Sequence, residues 1–423
     1  MVRALKGGRA EMTRPVRLFL LTQYFYPEVP ATAQLSTDLA LGLTEAGFDV
    51  SVFTGQPAYW DKKRLPSKEV YKGVKIYRAY SRRLSREGTK SRLLNGATVA
   101  AGNFFKLIAR KKPDVLLVDS TSPFLVSLAW ALRKLRRIPY VFLVQDVYPE
   151  IAVELGVIGA RSRPAKMWYG VYKRVYRDAA RIIVLGPRMA DVVKRTAPAS
   201  RHDKFEVIPN WADGDAIRPR VPADNPMRQD LGLADKLVCI YSGNMGMVHD
   251  MKTLVEAATR LKHLGKVHFL FIGGGGKRDW IESTFKDCGL TNVTLLPYQP
   301  LEKLPYSLTC GDVSLVTLEK GMEGLSAPSK IYASLAAGLA VIAVAGATSE
   351  IGDIVTSNRC GYHIRQGDVD GLVRAVESLE SDRTLLADMK RRARLAYEGN
   401  YTRSMSIGRY KSVLESVGRE GKS

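Results

Sequence analysis

Acidic residues are scarce in the first half of this chain: residues 1–220 hold 19 Asp and Glu against 39 Lys and Arg, whereas residues 221–423 hold 23 against 25. The imbalance excludes a neutral first-half surface and predicts an anionic partner for it. Long apolar runs are missing as well. The stretch from Pro123 to Leu132 stops at Arg133, short of the roughly 18 residues that a membrane-spanning helix needs. Cysteine is confined to positions 239, 288, 310 and 360 without CxxC spacing, which argues against a disulfide framework and reads as buried thiols in a reducing cytoplasm. The opening MVRALKGGRAEMTRP is basic but has no apolar centre, so residues 1–14 read as a disordered leader, with Met12 an alternative start, and export is not expected. Neither GxGxxG nor the Walker pattern occurs, which disfavours a dinucleotide or a nucleoside triphosphate.

Glycine turns at the ends of apolar strands are what the sequence does have. Leu237 to Tyr241 is a short apolar run ending in Ser242-Gly243-Asn244-Met245-Gly246, with a helical pattern from near Asp250. Val267 to Ile272 repeats the plan and ends in Gly273-Gly274-Gly275-Gly276, followed by Lys277 and Arg278. A third loop, Gly321 to Gly338, reads GMEGLSAPSKIYASLAAG and predicts a helix whose first turn is Pro328-Ser329-Lys330. Such a start offers unpaired N–H groups, a positive dipole end, a hydroxyl and an ammonium, a combination suited to phosphate. Ligands of open α/β sheets bind beyond the carboxyl ends of the strands, so three such loops converge on one crevice and favour a diphosphate.

Composition, 46% hydrophobic and 25% charged, supports two folded cores. Strand and helix patterns alternate in both halves. Strands are expected at 16–22, 50–54, 115–118, 140–144, 182–185 and 206–208, and Pro209 to Asp235 reads as a linker. Residues 15–212 form a first domain, 213–397 a second, and 398–423 a final helix, Thr402 to Val417, with a tail. The fold class is α/β, two Rossmann-like doubly wound domains facing a central cleft.

The first-half cations cluster at Arg82-Arg83 with Arg86, Lys90 and Arg92; at Arg110-Lys111-Lys112; at Arg133-Lys134 with Arg136-Arg137; and at Lys173-Arg174 with Arg177. In AKMWYGVYKRVYR, Trp168, Tyr172 and Val175 recur at helical spacing beside the cations; the favoured reading packs them on the first core. The cations then remain for an anionic membrane surface. No nucleic-acid module accompanies them.

The order QYFYPEVPATAQLSTDLALGLTEAGFDVSVFTGQPAYW, LVQDVYPEIAVELGVI, VIPNWAD, LVCIYSGNMGMVHDMKTLVEAA, FLFIGGGGKR, LLPYQPLEKLPYSLTCGDVSLV and APSKIYASLAAGLAVIAV resembles glycosyltransferase family 4, in its branch of colanic-acid and O-antigen type bacterial enzymes, from Val16 to Val417. The resemblance implies a GT-B fold and a retaining hexosyltransferase without a metal or other cofactor. It implies a nucleotide-sugar donor, a UDP-sugar foremost, on the second domain and a lipid-linked or glycan acceptor on the first. The last helix would cross back to the first domain, and the protein would work peripherally at the inner membrane face. Carried onto this sequence, donor contacts fall to Gly243, Asn244, His249, Gly273, Gly274, Lys277, Arg278, Tyr298, Pro328, Ser329 and Lys330.

Departures from the family pattern matter. Its two glutamates, counted back from Gly338, are replaced by Leu325 and Ala333; Glu323 is the candidate substitute near the donor sugar. The customary arginine and lysine at the first phosphate turn are Asn244 and His249, which leaves Lys330 as the principal cation, with Lys277 and Arg278 in reserve, and a protonated His249 near phosphate is expected to have a raised pKa. The histidine that commonly precedes aspartate is Gln145, so Asp146 is the polar anchor of the first domain. Asp213-Gly214-Asp215 reads as a turn, not a metal DxD. The catalytic candidates are therefore Asp146, Lys330 and Glu323, with no metal ligand. A nucleotide-sugar 2-epimerase of the same fold and an inactive, basic membrane-surface binding protein are the alternatives.

Overall fold

The computed structural model describes residues 14–28, 30–57, 64–80 and 89–420, with backbone alone for 89–93. Residues 1–13 of the leader and the Arg82 cluster fall outside the described residues or their side chains, while Arg14, its last residue, pairs with Asp114 at 2.8 Å. Eight strands build the first sheet: β1 Arg17–Leu21, β2 Asp49–Thr54, β3 Lys68–Tyr71, β4 Val74–Arg78, β5 Val115–Asp119, β6 Tyr140–Val144, β7 Arg181–Val184 and β8 Phe205–Val207. Their order is β3-β4-β2-β1-β5-β6-β7-β8, parallel except for β3. Six more, β9 Leu237–Asn244, β10 Val267–Gly274, β11 Val293–Leu296, β12 Val313–Thr317, β13 Ala340–Val344 and β14 Gly361–Ile364, form an all-parallel sheet ordered β11-β10-β9-β12-β13-β14.

The central strands are continuous apolar runs because helices cover both faces. Strands β5, β6, β12 and β13 are buried at every position. Strands β3 and β4 were not expected from the sequence. They form an edge hairpin across Lys72 (φ 45°) and Gly73 (φ 84°), a two-residue turn of the left-handed type that matches strand twist. In the 163–178 helix, Tyr172 and Val175 are buried and Trp168 stacks on Tyr148 at 5.8 Å, so the aromatic stripe packs inward and Lys173, Arg174 and Arg177 face out. Three cysteines are buried, but Cys288 is exposed, because it closes the surface helix Arg278–Asp287. No described helix is long and apolar enough to cross a membrane.

The segment expected as a plain linker is anchored. Asn225 caps a short helix, Pro226–Asp230, by accepting the Arg228 N–H, and the buried Arg228 guanidinium pairs with Asp312 at 2.9 Å. Asp213 uses Oδ1 to accept the amides of Asp215 and Ala216, an Asx turn, and Asp215 pairs with Arg218.

Helix Arg383–Asn400 belongs to the second domain, and after a break at Tyr401 and Thr402, helix Arg403–Glu420 runs back onto the first. Ile407, Tyr410, Leu414 and Val417 are its buried stripe. Arg403 pairs with Asp38 at 2.6 Å and Glu45 at 2.8 Å, and Asp38 also accepts the Trp211 indole N–H at 2.6 Å. These groups are partly solvated, so Arg403→Met is expected to lower stability by about 1 kcal/mol. Urea unfolding would show it, and the difference should shrink in about 1 M salt, where the Debye length is about 3 Å.

Candidate active site

In the second sheet the chain leaves β9 toward β10 and leaves β12 toward β13, so its topological switch point lies between β9 and β12. These two strands pair at Cys239–Val313 and Ile240–Ser314 and then part. Beyond that point the loop residues gather. Gly243 pairs with Gly273 and Asn244 with Gly274, which brings the two glycine turns side by side. A Cβ on Gly273, at φ 141°, would lie 2.0 Å from the Gly243 carbonyl oxygen, so the approach requires glycine. Met245 N–H donates to the Gly274 carbonyl, and Lys277 N–H donates to the Met245 carbonyl. The exposed Asn244 side chain stands at the rim, and exposed Tyr298 packs over Gly274 with its hydroxyl 3.4 Å from that residue's carbonyl.

Lys330 reaches the same place from the third loop. Its Nζ donates to the Tyr241 hydroxyl at 2.6 Å, lies 3.9 Å from the centre of that ring, and would sit 3.6 Å from a Cβ on Gly243. The Tyr241 hydroxyl donates in turn to the Asn244 carbonyl at 2.6 Å. Enclosure pushes the Lys330 ammonium down to about 7, since burial penalises the charged form. The helix start differs from expectation. Lys330 is the first residue of a seven-residue helix, Lys330–Ala336; Ser329 precedes it without a side-chain cap, and buried Pro328 lies one residue further out, its carbonyl accepting the Ile331 N–H at 3.4 Å.

Other expected cations are committed elsewhere. Lys277 Nζ donates to the His249 carbonyl at 2.7 Å and to Glu319 at 2.8 Å, and Arg278 spans the Gly273 and Leu296 carbonyls. They brace the glycine turns. The expectation for His249 is corrected: in this structure its pKa falls to about 3, first through burial and then through the nearby Lys330 charge. Its Nδ1 donates to the Thr317 carbonyl at 2.9 Å, so neutral His249 presents Nε2 as an acceptor, the wrong polarity for phosphate. Glu323 is likewise tied: Oε2 accepts Gly321 N–H, and Oε1 accepts Gly346 N–H and the Gln366 amide, all at 2.8–2.9 Å. That pattern fastens the loop to the exits of β13 and β14. Leu325 is buried against the first domain and Ala333 is packed on the core, so neither place of the family glutamates offers a polar group.

Asp146 faces this assembly from the first domain. Burial raises the pKa of its carboxyl, partly offset by the Ser326 hydroxyl, which donates to Oδ1 at 2.7 Å across the cleft. Ser120 Oγ accepts the amides of Gln145 and Asp146. A second contact joins the domains where Met189 N–H donates to Glu350 at 2.7 Å and Arg188 pairs with Asp353 at 3.0 Å. Tyr241, Glu319 and Ser326 were not singled out from the sequence. Tyr241 alone left a signal there, as a hydroxyl at the end of an apolar strand one residue before the glycine turn.

Taken together, the second domain presents an ammonium and two glycine turns at its switch point, and the first presents a carboxyl opposite, an arrangement able to hold a diphosphate on one side and a hydroxyl on the other. Known proteins agree with it. The profile named Glycosyl transferases group 1 matches residues 224–396, and Glycosyl transferase 4-like domain matches residues 32–211. WbjE of Pseudomonas aeruginosa, named as a glycosyltransferase, is 28% identical over 75% of this chain and 78% of its own length. WcaI of Escherichia coli strain K12, named for colanic acid biosynthesis, is 26% identical over 78% of this chain and 83% of its own. Among solved structures, sucrose-phosphate synthase from Thermosynechococcus elongatus superposes with a TM-score of 0.79 at 17% identity, covering 95% of this chain and 99% of that one. Anabaena HepE in complex with UDP and glucose gives 0.71 at 13% identity, covering 95% and 100%. The chain belongs to the group 1, family 4 type of bacterial glycosyltransferases and has their GT-B fold.

Proposed function

We propose that this glycosyltransferase moves a hexose from a nucleoside-diphosphate sugar, a UDP-sugar foremost, to a lipid-linked or polysaccharide acceptor in cell-surface glycan assembly, with retention at the anomeric carbon. The observation that carries the reading is the convergence of Lys330 with the Gly243 and Gly273 turns opposite Asp146. The UDP bound to HepE and the naming of WcaI for colanic acid biosynthesis support the choice of donor and of pathway class.

In the reaction, the acceptor oxygen forms a bond to the anomeric carbon while the bond from that carbon to the β-phosphate oxygen breaks. The electron pair leaves with the diphosphate. Backbone N–H groups and the Lys330 ammonium meet that developing charge. The acceptor's proton passes to the departing phosphate or to Asp146.

Incubating the purified chain with UDP-, GDP- and ADP-sugars, with and without a lipid-linked acceptor extract, tests the proposal. Transfer that needs the acceptor supports it. Conversion of donor without acceptor would point to a 2-epimerase, and no turnover of any donor would point to an inactive surface-binding protein. Phosphate neutralisation assigned to Lys330 and backbone donors, with Asp213 spent on its turn, leads us to expect full transfer in excess chelator. Loss on chelation that magnesium or manganese restores would return Asp213 and Asp215 to the site.

A further inference from the structure

The loop that carries Lys330 also touches the first domain along its length. A Cβ on Gly321 would meet the Glu154 carboxyl, and one on Gly324 the Arg188 carbonyl. Val147 N–H donates to the Leu325 carbonyl at 2.8 Å, and Ser326 and Asp146 form an isolated antiparallel bridge. The last contact is a side-chain one, Ser326 Oγ to Asp146 Oδ1 at 2.7 Å. Three residues, Ala327 to Ser329, separate this hydroxyl from the ammonium assigned to the leaving group.

We infer that Ser326 is a positioning residue: from the donor-binding loop it fixes Oδ1 of Asp146, so that Oδ2, which has no hydrogen-bond partner among the described residues, is aimed at the acceptor hydroxyl. The inference rests on the glycosyl-transfer reading. A carboxylate held at its backbone by Ser120 alone can still rotate about its last torsion, which is soft and two-fold. A hydroxyl donor on one oxygen removes that freedom and favours the ionised form, against the burial that opposes it. The acceptor-side carboxylate is thereby set when the Lys330 loop is docked. One side-chain contact thus ties the acceptor-side carboxylate to the loop that carries the leaving-group ammonium, in a chain whose loop lacks the family's glutamates.

Ser326→Ala and Ser326→Thr in the full chain test this against a tie that only holds the domains together. Transfer by the parent is established first; a parent that uses none of the UDP-, GDP- and ADP-sugars refutes the glycosyl-transfer reading itself. With an active parent, Ser326→Ala is expected to lower kcat about fivefold to tenfold while the dissociation constant for UDP and the unfolding midpoint stay near parental values. Ser326→Thr, which keeps the hydroxyl, should restore kcat to within about twofold. An unchanged kcat in Ser326→Ala overturns the inference. So does a loss explained by weaker UDP binding or by unfolding, and so does a folded Ser326→Thr variant as slow as the alanine form.

Discussion

Lys330→Ala is expected to weaken binding of a UDP-sugar about tenfold to a hundredfold, the loss of one charge-assisted hydrogen bond of about 1.5–3 kcal/mol, with the fold intact by circular dichroism. The parent protein supplies an independent check through pH. Burial holds Lys330 at about 7 in the free protein, and a bound diphosphate favours the charged form. Below pH 7 the proton is already present when the ligand arrives. Above it a proton must be taken up on binding, so affinity should fall by about tenfold per pH unit until the higher pKa of the complex is reached. A sugar-linked diphosphate lacks the second phosphate ionisation near pH 6, so the ligand adds no slope of its own. His249, at about 3, is neutral across this range. Calorimetric titrations of parent and variant at several pH values would measure both effects. Parental affinity in the variant, or a flat profile in the parent, would remove Lys330 from the diphosphate site.

Co-sedimentation with anionic liposomes, weak binding to neutral ones and release in high salt are expected of the full chain. Between Leu155 and Arg177 the sequence has six cations and no carboxylate. Around the first three of them, Arg161, Arg163 and Lys166, the apolar side chains of Leu155, Val157 and Met167 are 37%, 51% and 70% exposed. This surface adjoins the cleft, since Glu154 lies against Gly321 and Trp168 stacks beside Tyr148, two residues from Asp146. A lipid-linked acceptor held there would enter between the domains. Each cation near an anionic surface contributes about 1 kcal/mol, so replacing Lys173, Arg174 and Arg177 by glutamine should reduce liposome partitioning by roughly a hundredfold. Nucleotide binding should change little. If the parent ignores anionic liposomes at low salt, or binds neutral ones equally, the acceptor is a soluble one.

Residues whose role is to be apolar and buried were legible in the sequence; residues whose role depends on a partner far along the chain were not. Strands β1, β5, β6 and β9 stand out because both faces of each sheet are covered, leaving uninterrupted hydrophobic runs of four or five residues. The β3–β4 hairpin was missed because KEVYKGVKIYR is a half-exposed edge rich in lysine, with polar residues at both faces. At the site, glycine turns and Lys330 could be read locally. Local reading could not show that Lys277 is matched by Glu319, 42 residues on, or Asp146 by Ser326, 180 residues on. His249 failed for a related reason: its ionisation is set by enclosure and by Lys330, neither of which is visible in the residues beside it.

The helix from Arg403 to Glu420 has a consequence for synthesis. Its buried stripe covers the first domain beside helix Ala31–Glu45, where Ile407 lies against Gly42, and its far end reaches Val16. A nascent chain that has released residues 15–212 therefore has the sheet but not its cover. The apolar side chains awaiting Tyr410, Leu414 and Val417 stay open to water, or to a chaperone, while nearly two hundred further residues are made. Domain order in the sequence and order of completion are reversed: the second domain can close its core before the first one does.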